Sequence, residues 1–513
     1  MNNIVLFIKA NITRYLFGFN LILILSYIVF AIYSTLNLKG FLGGHLGFAG
    51  PHLYASSLNL SYLPSIIASS VDSDFEVVHL YNHHPKLGFY VYWLISFLSD
   101  GTYLGKLQIG YLFSTVINIL GVVALYFALR YIRINKVLSL FAVAFVFSTH
   151  YFNLYLTLTN FDSLSILMSS GLLFSFKTLY DDLILPTPQH SLKQHIYSWL
   201  IIFLSMNTSY YFFCVNAFFV LTIFVITIIK HKFKSNIKKL ITFSSLMFIL
   251  ALISITTVLL SLYLYAGNLD SFADLIQRDA PNYNNAGGRQ KTIFELIVTF
   301  YGYTKSILPS KRIVFCFVVL VIYSLIKYRH IKISDFSWIS MVGGAVTFIL
   351  FTRYFSAGHP FAFSILMIGV VTLFVCALNY YCEHTFYYIL IAILTASMLF
   401  SSISVLKHIN YSNVVISQRS ENLVKLFDDK YSHGYSLYFK GSMPMCRDFN
   451  HGQFWFLASH PNYQASQNKT LPKKTILVEC KKDDLVFTDL EKLISYKFTS
   501  NSNEPTIYQL DKQ

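Results

Sequence analysis

Long apolar runs recur between residues 15 and 406, and they constrain the fold of this chain more than any other feature. Each run approaches the ~20 residues that an α-helix needs to cross the roughly 30 Å hydrocarbon core of a bilayer. The composition agrees, because 55% of the 513 residues are apolar and only 12% are charged. Soluble domains carry about 25% charged residues. With a mean hydropathy of +0.53, the chain is expected to fold as an all-α polytopic membrane bundle.

The spacing of these runs predicts about eleven transmembrane helices. The first run lacks the small-residue cleavage site of a signal peptide, so we expect it to remain as a membrane span. The predicted spans are 15–36, 107–130, 137–155, 160–180, 195–208, 210–230, 239–265, 312–328, 334–352, 361–381 and 385–406.

Basic residues cluster in short connections between the predicted spans, and short loops rich in Lys and Arg stay in the cytoplasm. This rule places the N-terminus in the cytoplasm and segments 37–106, 266–311 and 407–513 on the outer side. The net charge of +15 is therefore mainly an orientation signal and argues against nucleic-acid binding. The clusters are Arg130, Arg133 and Lys136; Lys230, Lys232, Lys234, Lys238 and Lys239; and Lys327, Arg329 and Lys332.

The composition changes to that of a soluble domain from His408 onward, which divides the chain into a membrane domain, 1–406, and a small α/β domain, 407–513. "SQRSENLVKLFDDKYSHG" predicts a helix, and "YSLYFKG", "KTILVEC" and "PTIYQL" predict strands. The domain has no nucleotide-binding glycine motif. Two of its cysteines, Cys446 and Cys480, are expected to form a disulfide if the domain lies outside the cytoplasm, and are otherwise free thiols.

The two long outer loops are predicted to contain helices that lie along the membrane surface. "GHLGFAGPHLYASSLNLSYLPSIIASS" has helical apolar spacing, and a second helix is expected to start at Pro85, which suits a first helical turn. The run 88–98 after that proline would reach only about 16 Å as a helix, too short to span a bilayer. In the loop 266–311, a flexible stretch precedes a helical pattern at 292–308, which is typical either of a lid over a site or of a plain surface loop.

The stretch "VDSDFEVVHLYNHHPK" is the densest group of residues that can carry chemistry. Clustered acids and imidazoles can supply a general base, a metal site or a phosphate clamp, but they are also common on solvated loops. No HExxH or similar zinc pattern is present. The candidates in this stretch are Asp72, Asp74, Glu76, His83, His84 and Lys86.

Further candidates lie near the outer ends of later spans. Asp162 opens the fourth span, where a membrane acid indicates either a functional group or a helix cap. Arg353 follows the ninth span and is expected either to bind an anionic phosphate or to reach the headgroups. His359 begins the tenth span, and Lys305 lies at a comparable depth and competes for the phosphate role.

These segments resemble those of the GT-C membrane glycosyltransferases, most closely the family-39-like, RgtA/B/C/D-type enzymes related to aminoarabinose and protein O-mannosyl transferases. "YNHHPKLGFYVYWLISFLSDGTYLGKLQIGYLFS" is similar to the first outer loop of that family, in which a "hHPPl" motif opens a juxtamembrane helix. "TNFDSLSILMSSGLL" is similar to the acid-bearing fourth-span segment, and "RYFSAGHP" to a late "RY…P" segment. The resemblance covers most of residues 1–406.

The resemblance implies transfer of a sugar from a polyprenyl-phosphate carrier to a lipid, glycan or protein acceptor on the outer face, with an inverting displacement. The family's catalytic acid precedes the HPP motif by a longer interval, and here "GGHLGFAGPHLYASS" occupies that place without an acid. Either Asp74 or Asp72 is then the base, or His45 replaces it, or the chain is a divergent, inactive member; we favour the two aspartates. Lys86 also stands where the family has its second proline.

The same resemblance implies the remaining partners and the location. The partners are the carrier-linked sugar, the acceptor and membrane lipids, and no nucleic acid. No cofactor follows from the residues, and a divalent metal ion is the one candidate that stays open. The predicted location is the cell membrane, of the bacterial inner-membrane type, with the C-terminal domain outside the cytoplasm.

Two other functions compete with glycosyl transfer. The first is a transporter or flippase for a lipid-linked glycan, although transporters often show internal repeats and paired broken helices, and the sequence shows neither. The second is a ligand sensor on a membrane anchor, which leaves the large number of spans without a purpose.

Overall fold

A computed structural model describes helices and strands from both predicted domains. The described residues are 2–40, 67–69, 78–80, 87–157, 164–184, 190–230, 237–266, 294–295, 298, 336–351, 364–379, 385–432, 436–439, 474–481, 484–492, 494–498 and 506–509. Twelve helices have bounds within this part of the chain: α1 Asn2–Leu36, α2 Leu87–Ser96, α3 Tyr103–Tyr131, α4 Lys136–Phe147, α5 His150–Tyr155, α6 Ser165–Ile184, α7 Leu192–Thr208, α8 Tyr211–Lys230, α9 Ile237–Ala266, α10 Phe336–Phe351, α11 Ser364–Asn379 and α12 Thr385–Ser432.

Apolar helices confirm that this is a membrane protein. Among the described residues, four helical segments are long and apolar enough to cross a bilayer: Asn11–Leu36, Leu104–Tyr131, Tyr211–Ile228 and Ile237–Thr257. Shorter apolar helices include α4, α10 and α11. The predicted count of about eleven spans stays a prediction, because span 312–328 lies outside the described residues.

The predicted span 137–155 is wrong as a single helix, since the chain breaks between α4 and α5. The hydroxyls of Ser148 and Thr149 donate to the carbonyls of Phe145 and Val146, at 2.7 and 2.8 Å. Thr149 Oγ1 also accepts from the backbone N–H of Phe152 at 3.1 Å. Hydroxyl side chains that bond to nearby backbone compete with helical hydrogen bonds, so this pair ends one helix and caps the next.

Glycines let two helix pairs approach closely. A Cβ built on Gly344 of α10 would lie 2.3 Å from Val215 Cα of α8, and one on Gly121 of α3 would lie 2.7 Å from Leu167 N of α6. Ser170 Oγ donates to the carbonyl of Gly121 at 2.9 Å across the same contact. Membrane helices associate through such small residues, because lipid supplies no hydrophobic force between them.

Helix α12 runs without interruption for 48 residues, which corresponds to about 72 Å. The predicted last span, 385–406, forms its first part, and the predicted C-terminal helix forms its end, two residues before Gly434. The division at 406/407 stays a prediction, but no break in secondary structure marks it. The helix passes the end of α1, where Ser417 Oγ accepts from the backbone N–H of Lys39 at 3.4 Å.

A five-stranded sheet follows α12. Its strands are β3 Ser436–Phe439, β4 Thr475–Lys481, β5 Asp484–Asp489, β6 Ile494–Phe498 and β7 Thr506–Gln509, in the order β3-β4-β5-β6-β7. The β3–β4 pair is parallel and the others are antiparallel. The three predicted strands are confirmed, and β5 and β6 are additional. The predicted disulfide is not tested, because Cys446 lies outside the described residues.

A second, smaller sheet corrects the prediction for the first outer loop. Strands β1 Ile67–Ser69 and β2 Val78–Leu80 pair antiparallel, so the end of the segment that we predicted as a surface helix is a strand. β-Branched residues such as Ile67 and Val78 favour extended structure when a partner strand lies nearby. The predicted helix after Pro85 is confirmed as α2.

Candidate site at the outer end of the bundle

The candidate residues named from the sequence lie in segments whose flanking elements the structure does describe. The residues themselves lie outside the described part: His45, Asp72, Asp74, Glu76, His83, His84, Lys86, Asp162, Lys305, Arg353 and His359. We therefore derive the site from the elements that lead into and out of these segments.

The β1–β2 hairpin closes the segment that carries the clustered acids. Ser69 pairs with Val78, so residues 70–77 connect the two strands. Asp72, Asp74 and Glu76 all belong to this connection. Three carboxyl-bearing residues thus share one short loop whose two ends are held together by a strand pair.

Helix α2 begins directly after Lys86 and is anchored to the bundle. Its residues Phe89 and Tyr92 are 2% and 1% exposed. Tyr92 Oη lies 2.8 Å from Ser114 Oγ of α3, and its ring contacts Phe113 edge-on with a centroid distance of 5.4 Å. The helix that follows the His83–Lys86 motif is therefore fixed against α3, while its opposite face is apolar and exposed.

The described helices next to Asp162, Arg353 and His359 meet at one end of the bundle, which we call the outer end. In the chain, Asp162 precedes α6, Arg353 follows α10 and His359 precedes α11. Tyr211 of α8 lies between two of these helices: its side chain lies near Ser169 of α6, and its ring lies 5.8 Å from that of Phe348 of α10. The structure thus brings together the helix ends next to three predicted site residues.

A further link joins α11 to the same end. Thr149 Oγ1, at the α4–α5 break, lies 3.5 Å from Met367 Sδ of α11. Thr35 at the end of α1 hydrogen-bonds Thr115, near the middle of α3, at 2.8 Å, which joins these two helices.

Buried neutral polar residues occur between these helix ends, and the sequence analysis did not single them out. Asn118 Nδ2 donates to the carbonyl of Leu156 at 3.1 Å, and Asn153 Nδ2 donates to the carbonyls of Phe147 and Thr149 at 2.7 and 2.8 Å. The signal that could have found them is the recurrence of Ser, Thr and Asn inside otherwise apolar spans. We call this set the outer polar belt: Thr35, Thr115, Asn118, Thr149, Asn153, Thr157, Ser165 and Ser169.

Three members of the outer polar belt are incompletely hydrogen-bonded. The hydroxyl oxygens of Thr157, Ser165 and Ser169 are buried, and none has a hydrogen-bond partner in the described part of the chain. A buried hydroxyl without a partner costs free energy, so such groups are expected where a ligand or water supplies the missing bond. Asp162 lies in the segment between Thr157 and Ser165.

Charged groups also occur where the chain enters α3. Hydrogen bonds from the Thr102 side chain and backbone, at 2.6 and 2.9 Å, hold the pKa of Asp100 below its usual value. Asp428 of α12 interacts with Lys106. Within the described residues, no group of three or more His, Cys, Asp or Glu is placed to hold a metal ion. The acids of the 70–77 loop are not among those residues, so the divalent metal ion stays an open prediction.

No protein-family model and no curated protein matches the sequence. Solved structures do match. ArnT from Cupriavidus metallidurans bound to undecaprenyl phosphate is 11% identical, with a TM-score of 0.50 over 86% of this chain and 84% of that chain. The oligosaccharyltransferase from Archaeoglobus fulgidus in the apo form is also 11% identical, with a TM-score of 0.46 over 86% of this chain and 64% of that chain.

The match to ArnT confirms the resemblance at the level of the fold. Because it covers 86% of the chain, it extends well beyond the short motifs that suggested it.

Proposed function

We propose that this GT-C-type membrane protein is a glycosyltransferase that moves a sugar from a polyprenyl-phosphate carrier to a lipid, glycan or protein acceptor on the outer face of the membrane. The observation that carries the proposal is the fold shared with ArnT, whose structure contains undecaprenyl phosphate. The outer polar belt supports it, because it leaves buried hydroxyls next to the segment that contains Asp162.

The proposed reaction is a single displacement at the sugar. The acceptor's hydroxyl oxygen attacks C1 on the face opposite the carrier, and a new C1–O bond forms while the bond from C1 to the phosphate oxygen breaks. The bonding electrons leave with the polyprenyl phosphate, and C1 inverts its configuration. The acceptor's proton passes to a carboxylate acting as general base. We assign this role to Asp74 or Asp72, with Asp162 and His45 as alternatives.

Cations and hydrogen-bonding groups at the outer end would hold the carrier's phosphate and the sugar. Arg353 suits the phosphate, because its planar guanidinium offers several donors in a fork that matches phosphate oxygens. Helix α10, which ends just before Arg353, contacts α8 through the Tyr211 and Phe348 rings, next to the outer polar belt. The other residues that we assign to binding are Glu76, His83, His84, Lys86, Lys305 and His359.

The proposed topology places the N-terminus in the cytoplasm and the C-terminal domain, 407–513, outside it, in a bacterial inner membrane. Helix α12 supports this arrangement, because it continues past the end of α1 into the predicted outer domain. The inner ends of α3 and α4, at Arg130 and Lys136, carry the basic residues that mark a cytoplasmic side.

Three substitutions test the site. Asp74→Asn, Asp72→Asn and Asp162→Asn each keep the side-chain size and remove the base, and at least one is expected to abolish transfer from a radiolabelled polyprenyl-phosphate sugar. Thermal unfolding should stay at the wild-type temperature in all three. Glu491→Gln, an exposed carboxyl in the C-terminal sheet, is the matched control and should keep full activity. Full activity in all three aspartate variants would overturn the site assignment.

Mass spectrometry of surface glycans and lipids separates transfer from transport. Cells without the protein should lack one sugar substituent on a surface glycan, lipid or protein. Accumulation of an intact carrier-linked oligosaccharide, with no missing substituent, would favour a transporter instead.

A further inference from the structure

The end of α12 contacts the first turn of α3 through Asp428. Asp428 Oδ2 accepts from the backbone N–H of Leu104 at 3.3 Å, although the two residues are separated by 324 positions in the chain. The first N–H groups of a helix have no partner within the helix. Thr102 Oγ1 satisfies a second one, that of Gly105, at 2.9 Å. One local side chain and one distant carboxylate therefore share the capping of α3.

Asp428 also compensates charge at this position. Its carboxylate interacts electrostatically with the ammonium group of Lys106, in the same turn of α3. A carboxylate is also favoured near a helix N-terminus by the helix dipole. Asp428 thus accepts a hydrogen bond from the backbone of Leu104 and attracts the ammonium group of Lys106 in the same helical turn.

The position of Asp428 is itself fixed from two sides. Eleven residues earlier on α12, Ser417 is bonded to Lys39, about 16 Å away along the helix. Two residues later, the ammonium group of Lys430 contacts Asp489 Oδ2 of β5, and both side chains are buried, at 5% and 0% exposure. The end of α12 is therefore held by the bundle below it and by the C-terminal sheet beside it.

Helix α3 transmits this position to α2. Tyr92 of α2 hydrogen-bonds Ser114, ten residues after Leu104 on α3. Helix α2 begins at Leu87, directly after the His83–Lys86 motif. A shift of the first turn of α3 would therefore displace α2, the helix that follows the motif.

We infer that Asp428 is a positioning residue for the proposed transferase: by fixing the start of α3 it holds α2, the helix that directly follows His83–Lys86 in the chain, against the bundle. This inference rests on the proposed function. It gives the C-terminal domain a role in the site without requiring any of its residues to touch substrate.

Hydrogen–deuterium exchange on the full-length protein in nanodiscs tests the structural part without an activity assay. Asp428→Ala is expected to raise the exchange of backbone amides in residues 102–106 and also across α2, residues 87–96. Asp428→Glu should restore part of the protection, because it keeps the acceptor. Glu421→Gln is the matched control: it breaks an ion pair with Lys425 inside α12 and should change neither segment.

Steady-state kinetics with a polyprenyl-phosphate sugar tests the link to the reaction. Displaced binding groups weaken the affinity for the carrier-linked sugar. Asp428→Ala is therefore expected to raise KM for the carrier roughly tenfold while changing kcat less. Unchanged exchange in residues 87–96, or raised exchange with an unchanged KM, would overturn the inference. If the wild-type protein transfers no sugar, the proposed function fails, whereas the exchange measurement still decides whether Asp428 holds α2.

Discussion

The two ends of the helical bundle satisfy their buried polar groups in opposite ways. At the inner end, where the predicted basic loops lie, Lys177, Asp181 and His190 form one charged cluster with side chains 10–13% exposed. At the outer end, the polar belt contains only neutral hydroxyls and amides. Three of its hydroxyls, on Thr157, Ser165 and Ser169, have no hydrogen-bond partner within the described residues.

The inner cluster is closed on itself. His190 Nε2 lies 3.3 Å from Asp181, and its other ring nitrogen lies 3.0 Å from the hydroxyl of Tyr131, which also contacts Thr178. The side chains of this cluster hydrogen-bond to one another, which is typical of a structural network. The comparison supports placing the proposed site at the outer end, where buried hydroxyls have no partner within the described residues.

Breaking the inner cluster should have the largest effect. Asp181→Ala leaves Lys177 without its carboxylate in a mostly buried position, and removing one partner of a buried pair costs about 3–5 kcal/mol. We expect the free energy of unfolding to decrease by an amount near the lower end of that range, because the pair is partly exposed. Reversible unfolding of the purified protein measures this decrease. The double variant Lys177→Met/Asp181→Leu should recover most of the loss. No recovery would mean that Asp181 does not act through its pairing with Lys177.

Separating α3 from α6 should lower the stability of the helical bundle. Gly121→Ala adds a Cβ that would lie 2.7 Å from Leu167 N, a backbone atom that cannot move aside alone. Such overpacking costs about 1–3 kcal/mol. Gly18→Ala in α1 is the matched control, because nothing lies within 4 Å of its new Cβ. Equal unfolding temperatures in the two variants would contradict the close approach of α3 and α6.

The ion pair between Lys430 and Asp489 at the C-terminal sheet should respond to acid. Burial alone would raise the pKa of Asp489, but the hydrogen bond from Lys430 and the backbone N–H groups of Lys492 and Glu491 hold that pKa below its usual value. The ionised form is therefore favoured by folding. This stability is complete above the unfolded pKa of about 3.9 and is lost as the pH falls through the lower folded pKa.

The measurement is proteolysis of the C-terminal sheet as a function of pH. Loss of the bond between Lys430 and Asp489 below pH 4 should destabilise the sheet by about 1.5–3 kcal/mol, the scale of a hydrogen bond to a charged group. In Asp489→Asn the acid-dependent part should disappear. A variant that keeps the wild-type acid response would show that another group titrates.

The smallest effect on stability is expected in the outer polar belt. Ser165→Ala and Thr157→Val remove hydroxyls that have no partner in the described part of the chain, so the free energy of unfolding should change by less than about 0.5 kcal/mol. Binding of a polyprenyl-phosphate sugar should weaken several-fold, if these hydroxyls bond the ligand. Unchanged binding in both variants would remove the belt from the site.

Local rules were sufficient for part of the fold. Pro85 predicted the start of α2, and alternating apolar residues predicted β3, β4 and β7. The break at Ser148–Thr149 was not predicted. A hydropathy pattern carries no information on side-chain hydroxyls that donate to the backbone carbonyls of the preceding turn. The strand pairing of Ile67–Ser69 depends on a partner eleven residues further along the chain, which local spacing cannot supply.

The sequence predicted candidate site residues, but it did not predict the buried polar residues of the surrounding helices. Charged residues such as Asp74 and Arg353 stand out in an apolar sequence, and they stay predictions. The outer polar belt was not found, since Thr157 and Ser165 are ordinary residues in sequence and become notable only through burial. The bond between Asp428 and Leu104 joins distant parts of the chain and leaves no local signal.

The continuity of α12 limits how the C-terminal region can be separated from the membrane. A fragment starting at residue 407 would begin inside a helix and would carry Ser417 away from its partner Lys39. The remainder would lose the bond from Leu104 to Asp428 and keep only the Thr102 cap of α3. Proteolytic release or independent expression at that boundary would therefore damage both halves, and a swap of this region between related proteins would need to exchange the whole helix from Thr385 onward.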